Sequence, residues 1–212
     1  MTPLFRTAAL LMALVTGGEA AAQAADGIPA QRFVLDPAHG IVVFSVDHLG
    51  LSQFVAGFDR VDAQLDLDPS DPASARLTVR IEVASLDLPA PPPGFLDDML
   101  GPTWFDASTH PEIIYVADAV TLTGEDTARI DGTLTLLGAS TPLTLQARFN
   151  GAYPAGFLEP HPRLGFSAET RFSRSAFGMT AGVPAPGTRM GVGDEVTVRI
   201  EAEFIGTGAA SP

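Results

Sequence analysis

Apolar and polar side chains alternate one by one through eight separate stretches of this chain, and that pattern limits what it can fold into more than any other feature. In Ile41 to His48, Val42, Phe44, Val46 and His48 fall on one face and Ile41, Val43, Ser45 and Asp47 on the other. Phe58 to Asp68 puts Val61, Ala63, Leu65 and Leu67 opposite Arg60, Asp62, Gln64 and Asp66, and Arg76 to Val83 repeats the pattern with Leu77, Val79 and Ile81. Further stretches lie at about Glu112 to Thr121, Ala128 to Leu137 and Pro142 to Asn150. The last two, Leu164 to Phe172 and Glu195 to Phe204, carry Phe166 and Phe172 and then Val198 and Ile200 on their apolar faces. A period of two belongs to strands with one buried face, and helical periodicity is nearly absent. The chain is predicted to be all-β, with eight antiparallel strands.

Eight such strands can close into a barrel holding side chains or one small ligand, or stack as a two-sheet sandwich with a solid core. Alternation alone serves both, because each needs one apolar face per strand. No fixed-period repeat points to a propeller or solenoid. Two segments break the rhythm. Pro89 to Pro93, PAPPP, is a stiff extended connector, followed at Gly94 to Leu100 by a short helix that Gly101-Pro102 ends, with a second helical turn over Pro102 to Asp106. One or two short helices are thus expected around residues 94–106, placing Trp104 and Phe105 beside the strands. The other break, Phe177 to Gly193, is a Gly- and Pro-rich loop too long for a hairpin and of a length often used for lids or binding.

Residues 1–24 read as a secretory signal peptide: Arg6 supplies positive charge, Ala8 to Val15 an apolar run, and Ala22-Gln23-Ala24 a small-residue cleavage site. Residues 25–212 are then a single secreted domain, large enough to bury a core unaided. With no cysteine in the chain, disulfides, thiol catalysis and a lipidated cysteine anchor are all excluded. The apolar run near the start is too short to span a bilayer, so stable membrane insertion is not expected. The net charge of -13 argues against nucleic acid, whose phosphates need clustered basic residues. Oligomeric state is not legible, and a homodimer stays open.

Enzyme motifs are missing: no G-x-S-x-G elbow, no H-E-x-x-H and no phosphate loop occurs, and His39, His48, His110 and His161 lack metal-ligand spacing. Asp47 and His48 are neighbours on a strand and point to opposite faces, so they do not form a catalytic pair. No catalytic residue and no metal ligand is assigned. His48 ends an apolar face, either as a donor or cation toward a ligand head group or as a structural histidine bonded to a backbone carbonyl. His39 reads as a turn residue, and His110 and His161, beside prolines, as loop positions. Trp104 and Phe105 either touch ligand or plug the core. Arg174 either meets a phosphate, whose geometry a guanidinium matches, or forms an ion pair that pins the turn at Gly178. The stripe of Phe44, Val46, Leu65, Val79, Ile81, Leu134, Leu136, Leu145, Phe166 and Phe172 is core, and in a barrel part of it is cavity wall.

The ordered short motifs resemble the YceI-like family. They begin with D-P-x-H from Asp36 to His39, F-x-V-x-H from Phe44 to His48, and the G-x-F ending at Phe58. Trp104-Phe105-Asp106 with His110-Pro111-Glu112-Ile113 follows, then Gly132 to Gly138 with Thr141 to Leu145, then Arg174-Ser175-Ala176-Phe177-Gly178, and Val192 to Val196. The resemblance covers about Phe33 to Phe204 and decides for the barrel. It implies an eight-stranded lipocalin-like barrel that binds a long-chain amphiphile, typically a polyisoprenoid, without a chemical step. The implied partner is a hydrophobic or amphiphilic small molecule, such as a polyprenyl phosphate or an isoprenoid quinone, with no other cofactor. Met99 stands where the family usually has a histidine, which replaces a titratable contact with a flexible apolar one. The ligand-contacting set implied is then Phe44, Val46, His48, Leu65, Ile81, Met99, Trp104, Phe105, Leu134, Phe166, Phe172 and Arg174.

Overall fold

A computed structural model describes residues 27–156 and 160–208; the expected signal peptide lies outside the described residues. The order of elements is β1 (Gln31–His48), β2 (Ser52–Phe58), β3 (Val61–Leu67), β4 (Arg76–Glu82), β5 (Leu86–Asp87), α1 (Phe95–Leu100), β6 (Glu112–Leu122), β7 (Thr127–Leu136), β8 (Ala139–Tyr153), β9 (Arg163–Ser173) and β10 (Val192–Gly206). From β6 onward each strand pairs antiparallel with the next. The sheet closes because β1 pairs with β10 from Phe33↔Gly206 to His48↔Val192. Closure removes the sheet edges and rules out a sandwich.

Ten strands resolve into eight barrel staves. On one side β1 pairs first with β3, through Gln31↔Leu67 to Val34↔Gln64, and then with β2, through Val42↔Phe58 to His48↔Ser52. β2 and β3 are therefore one stave bent at Asp59-Arg60, and β4 and β5 are likewise one stave. Ser85 stitches these two bends together: Asp59 N donates to Ser85 O (3.0 Å) and Arg60 N to Ser85 Oγ (3.0 Å). The return strand β2, with Phe54, Ala56 and Phe58 inward, was not separated by the sequence pattern, because it runs on into β3 within the same stave.

One irregularity sets the inward face of β1. Between the pairs Leu35↔Phe204 and Gly40↔Ala202, β1 carries four residues, Asp36-Pro37-Ala38-His39, against one in β10. This bulge reverses the parity of the strand, so Phe33 and Leu35 point inward before it and Val42, Phe44 and Val46 after it. Asp36 holds the bulge: its Oδ1 accepts Ala38 N (3.0 Å), and its Oδ2 lies 2.9 Å from His39 Nδ1 and 2.7 Å from Arg163 Nη1. Pro37 has no N–H to leave unpaired there. Gly40 follows because a β-carbon at that position would meet the folded-back Leu35 side chain at 2.7 Å. His39 is thus a residue of a strand bulge rather than of a turn between strands. A one-residue bulge at Asp118 does the same in β6, moving the inward set from Ile113, Tyr115 and Ala117 to Val120 and Leu122.

The barrel's two ends are built differently. At the end where β1 starts, Phe33, fully buried, packs with Ile28, Leu164, Leu65 and Phe204. At the other end α1 and the following turns fold inward. Phe105 N bonds to Met99 O (3.0 Å) and Ala107 N to Leu100 O (2.9 Å), which brings Met99 and Phe105 to the same side as buried residues. Gly94, at φ +82°, makes the left-handed turn into α1. The expected second helical turn is a run of tight turns, so one short α-helix stands in this segment.

Candidate functional site

The apolar interior encloses an elongated cavity of about 690 Å³, reached by side chains from both barrel ends and bordered almost wholly by carbon. That volume is in the range of small-molecule sites, about 300–1,000 Å³. The hollow explains an otherwise odd burial pattern. Leu77, Val79, Ile81, Phe166 and Phe172 point inward yet are only half-buried, because they face open space rather than another side chain. Leu134, Leu136, Leu143 and Leu145, across the barrel on β7 and β8, are buried.

All twelve ligand-contacting candidates border this cavity. Phe44, Val46, Leu65, Ile81, Leu134, Phe166 and Phe172 form wall in the barrel staves. Met99 and Phe105 come from α1 and the turns after it. Phe105 lies edge-on to Phe58 with ring centroids 5.8 Å apart and 6.4 Å from Phe44, so it plugs the core and lines the hollow at once. His48 is exposed at the end of β1, and its ring has no hydrogen-bond partner among the described residues, so the expected backbone carbonyl partner is absent there. Asp47 faces away from it, accepting Gly50 N (2.8 Å) and Arg189 Nη2 (3.2 Å).

Arg174 is only 3% exposed. Its Nε donates to Gly193 O (2.9 Å), Nη1 to Met179 O (2.9 Å) and Nη2 to Val192 O (2.8 Å). These carbonyls stand at the two ends of the long loop, so the guanidinium ties the neck of that loop. The turn at Gly178 is therefore pinned by neutral carbonyls in place of the expected ion pair. Trp104 covers the guanidinium, with Cζ 5.3 Å from the ring centroid. Burial pulls the Arg174 pKa down, and the charge of Asp194 acts in the opposite direction.

Two polar wall residues escaped the sequence reading. Tyr115 is buried on β6, its hydroxyl hydrogen shared between Ile130 O (3.0 Å) and Leu143 O (3.3 Å). Burial, with Asp131 and Asp118 nearby, pushes its pKa upward. The signal was present across the strands: a β-carbon at Gly132 would lie 2.5 Å from that hydroxyl, so the glycine makes room for the ring. Thr170 Oγ1 donates to Thr144 O (2.7 Å). Both hydroxyls are engaged with backbone carbonyls.

Outside the cavity, Asp36, His39 and Glu203 bring ligand-type atoms within 4.8 Å of one another. Arg163 Nη1 already sits between them, 2.7 Å from Asp36 Oδ2 and 3.0 Å from Glu203 Oε2. The cation at this cluster is a guanidinium, and no metal is assigned to it.

A closed eight-stranded antiparallel barrel around one apolar cavity defines a lipocalin-like binding fold. Residues 33–204 match the YceI-like domain, and the chain belongs to that family. A UPF0312 protein of Pseudomonas savastanoi pv. phaseolicola is 32% identical over 164 residues, covering 70% of this chain and 77% of the relative. A UPF0312 protein of Pseudomonas putida is 30% identical over 184 residues, covering 82% and 86%. Among solved structures, Burkholderia cenocepacia BcnA superposes with a TM-score of 0.67 at 25% identity, covering 80% of this chain and 98% of that one. A polyisoprenoid binding domain from Saccharophagus degradans, implicated in plant cell wall breakdown, shares the fold with a TM-score of 0.61 at 10% identity over 84% and 99% of the two chains.

Proposed function

We propose that this protein binds a long-chain amphiphile, polyisoprenoid in type, within the barrel, and stores or carries it in the periplasm after export through a cleaved signal peptide. No chemical step is needed for that role. The observation that carries the reading is the cavity: continuous, about 690 Å³ and lined by apolar side chains. The family and the fold shared with a polyisoprenoid binding domain support a hydrophobic ligand. Burying a methylene contributes roughly 0.8 kcal/mol, so about ten supply on the order of 8 kcal/mol before association costs. A greasy channel suffices for affinity, and a few polar groups at its end set orientation.

Organic extracts of natively purified protein, analysed by mass spectrometry, are expected to contain one class of long-chain lipid at close to stoichiometric amount. Lipid-free preparations that also take up neither added polyprenyl phosphate nor an isoprenoid quinone would overturn the reading.

A further inference from the structure

The polar groups on the cavity wall are unevenly divided between its two ends. Along the middle, Tyr115 and Thr170 have given their hydrogens to backbone carbonyls. At the rim formed by the β6–β7 turn, Glu125 and Asp126 border the hollow. Among the described residues, the end closed by α1 and the long loop holds the only arginine on the wall, Arg174, and the ring of His48, which makes no hydrogen bond there.

Arg174 is unusual in how its charge is met. A guanidinium has five N–H donors, and three are accounted for by carbonyls, leaving two without an acceptor among the described residues. No carboxylate comes within ion-pair distance of it among those residues. Asp194 is the opposing charge that acts on it, and the Asp194 oxygens accept from Ser175 N (2.9 Å) and Ser175 Oγ (2.8 Å). Carbonyls orient a cation without neutralising it, and burial in apolar surroundings amplifies whatever charge is left. A ligand anion at this end gains a nearly desolvated partner, whereas at the far rim it meets Glu125 and an Asp126 whose carboxylate is already paired with Arg148 (2.7 Å).

We propose that the cavity takes its amphiphile in one orientation, with an anionic head group, carboxylate or phosphate, at Arg174 beside Trp104 and the tail running toward the β6–β7 end. The inference rests on the binding reading above and adds the charge class of the head group and its direction. A neutral amphiphile of equal length fills the same hollow but leaves the spare donors of Arg174 unmet, so it binds roughly tenfold to a hundredfold more weakly.

Trp104 is the only tryptophan in the chain, which makes it an internal reporter of orientation. Stearate carrying a nitroxide quencher near its carboxylate is expected to quench Trp104 fluorescence more strongly at saturation than stearate carrying it at the tail end. The methyl esters of the same probes are expected to bind at least about tenfold more weakly. Competition by dodecyl phosphate against laurate then tells which anion is preferred, and dodecanol is expected to displace the probe least. Arg174→Met is expected to erase the preference for acid over ester while uptake of the ester persists. Should that variant fail to fold, the quenching order and the ester comparison in the native protein decide by themselves. Saturable uptake with the tail-end label quenching more strongly, or with acid and ester bound equally, would overturn the inference alone. Absence of saturable uptake of every probe would overturn the binding reading and the inference together.

Discussion

Strand β9 has an arginine at each end, and the two are held in opposite ways. Arg163, at its first residue, lies 2.7 Å from Asp36 and 3.0 Å from Glu203, so carboxylates meet its charge. Arg174, directly after its last residue, is held by the carbonyls of Met179, Val192 and Gly193 and the face of Trp104. One residue type on one strand thus does two jobs. At the first end the charge is used up in fastening the β1 bulge to the barrel wall. At the second it is fixed by backbone carbonyls on the wall of the cavity. Removing one member of a buried ion pair is costly mainly because the other member stays behind uncompensated.

The largest effect is expected at Arg163. Arg163→Met leaves Asp36, 7% exposed, next to Glu203 with no guanidinium between them. The expected loss is about 3 kcal/mol of unfolding free energy, read from the urea midpoint at constant slope. Ligand uptake is expected to stay within about twofold of the parent, because the cluster lies outside the hollow. A loss near zero would mean that the bulge holds without its cation, and the contrast between the two arginines would collapse.

Acid titration tests the same end more gently. Hydrogen bonds from His39 first, then Arg163 and the Ala38 backbone, lower the Asp36 pKa from 3.8 to about 2. A carboxyl depressed on folding contributes stability that is present above its unfolded pKa and lost as pH falls through the folded one. The expected loss is on the order of 2 kcal/mol between about pH 4 and pH 2, against the background of the other carboxylates. Asp36→Asn should remove that portion of the acid dependence. An unchanged stability profile in the variant would show that Asp36 is not held in its charged form by the fold.

The same contrast separates what was legible in the sequence from what was not. Alternation placed Val61 to Leu67, Leu77 to Ile81 and Val196 to Phe204 on their correct faces, because inward and outward positions follow from a period of two alone. The face of Phe33 depends on the four-against-one bulge at Asp36 to His39, which is a property of two paired strands and invisible in either. The motifs D-P-x-H and R-x-x-F-G marked both arginine neighbourhoods without saying what they bond. Arg163 pairs with a residue 127 positions away. The partners of Arg174 at Val192 and Gly193 are 18 and 19 positions away and are backbone atoms, which carry no side-chain signal at all. Tyr115 was hidden for a similar reason, since its fit depends on Gly132 across the sheet.

His48 gives the smallest effect. Its ring is exposed and makes no hydrogen bond among the described residues, so there is little for the folded state to lose. His48→Gln is expected to change unfolding free energy by less than about 0.5 kcal/mol, as ordinary surface substitutions do. Binding is a separate matter, because the ring borders the hollow at the same end as Arg174. Glutamine keeps a donor but cannot carry charge, so an anionic probe is expected to lose a few-fold in affinity and a neutral one nothing. Equal losses for both probes would assign His48 to the shape of the mouth. A stability loss above about 1 kcal/mol would instead make it a structural residue.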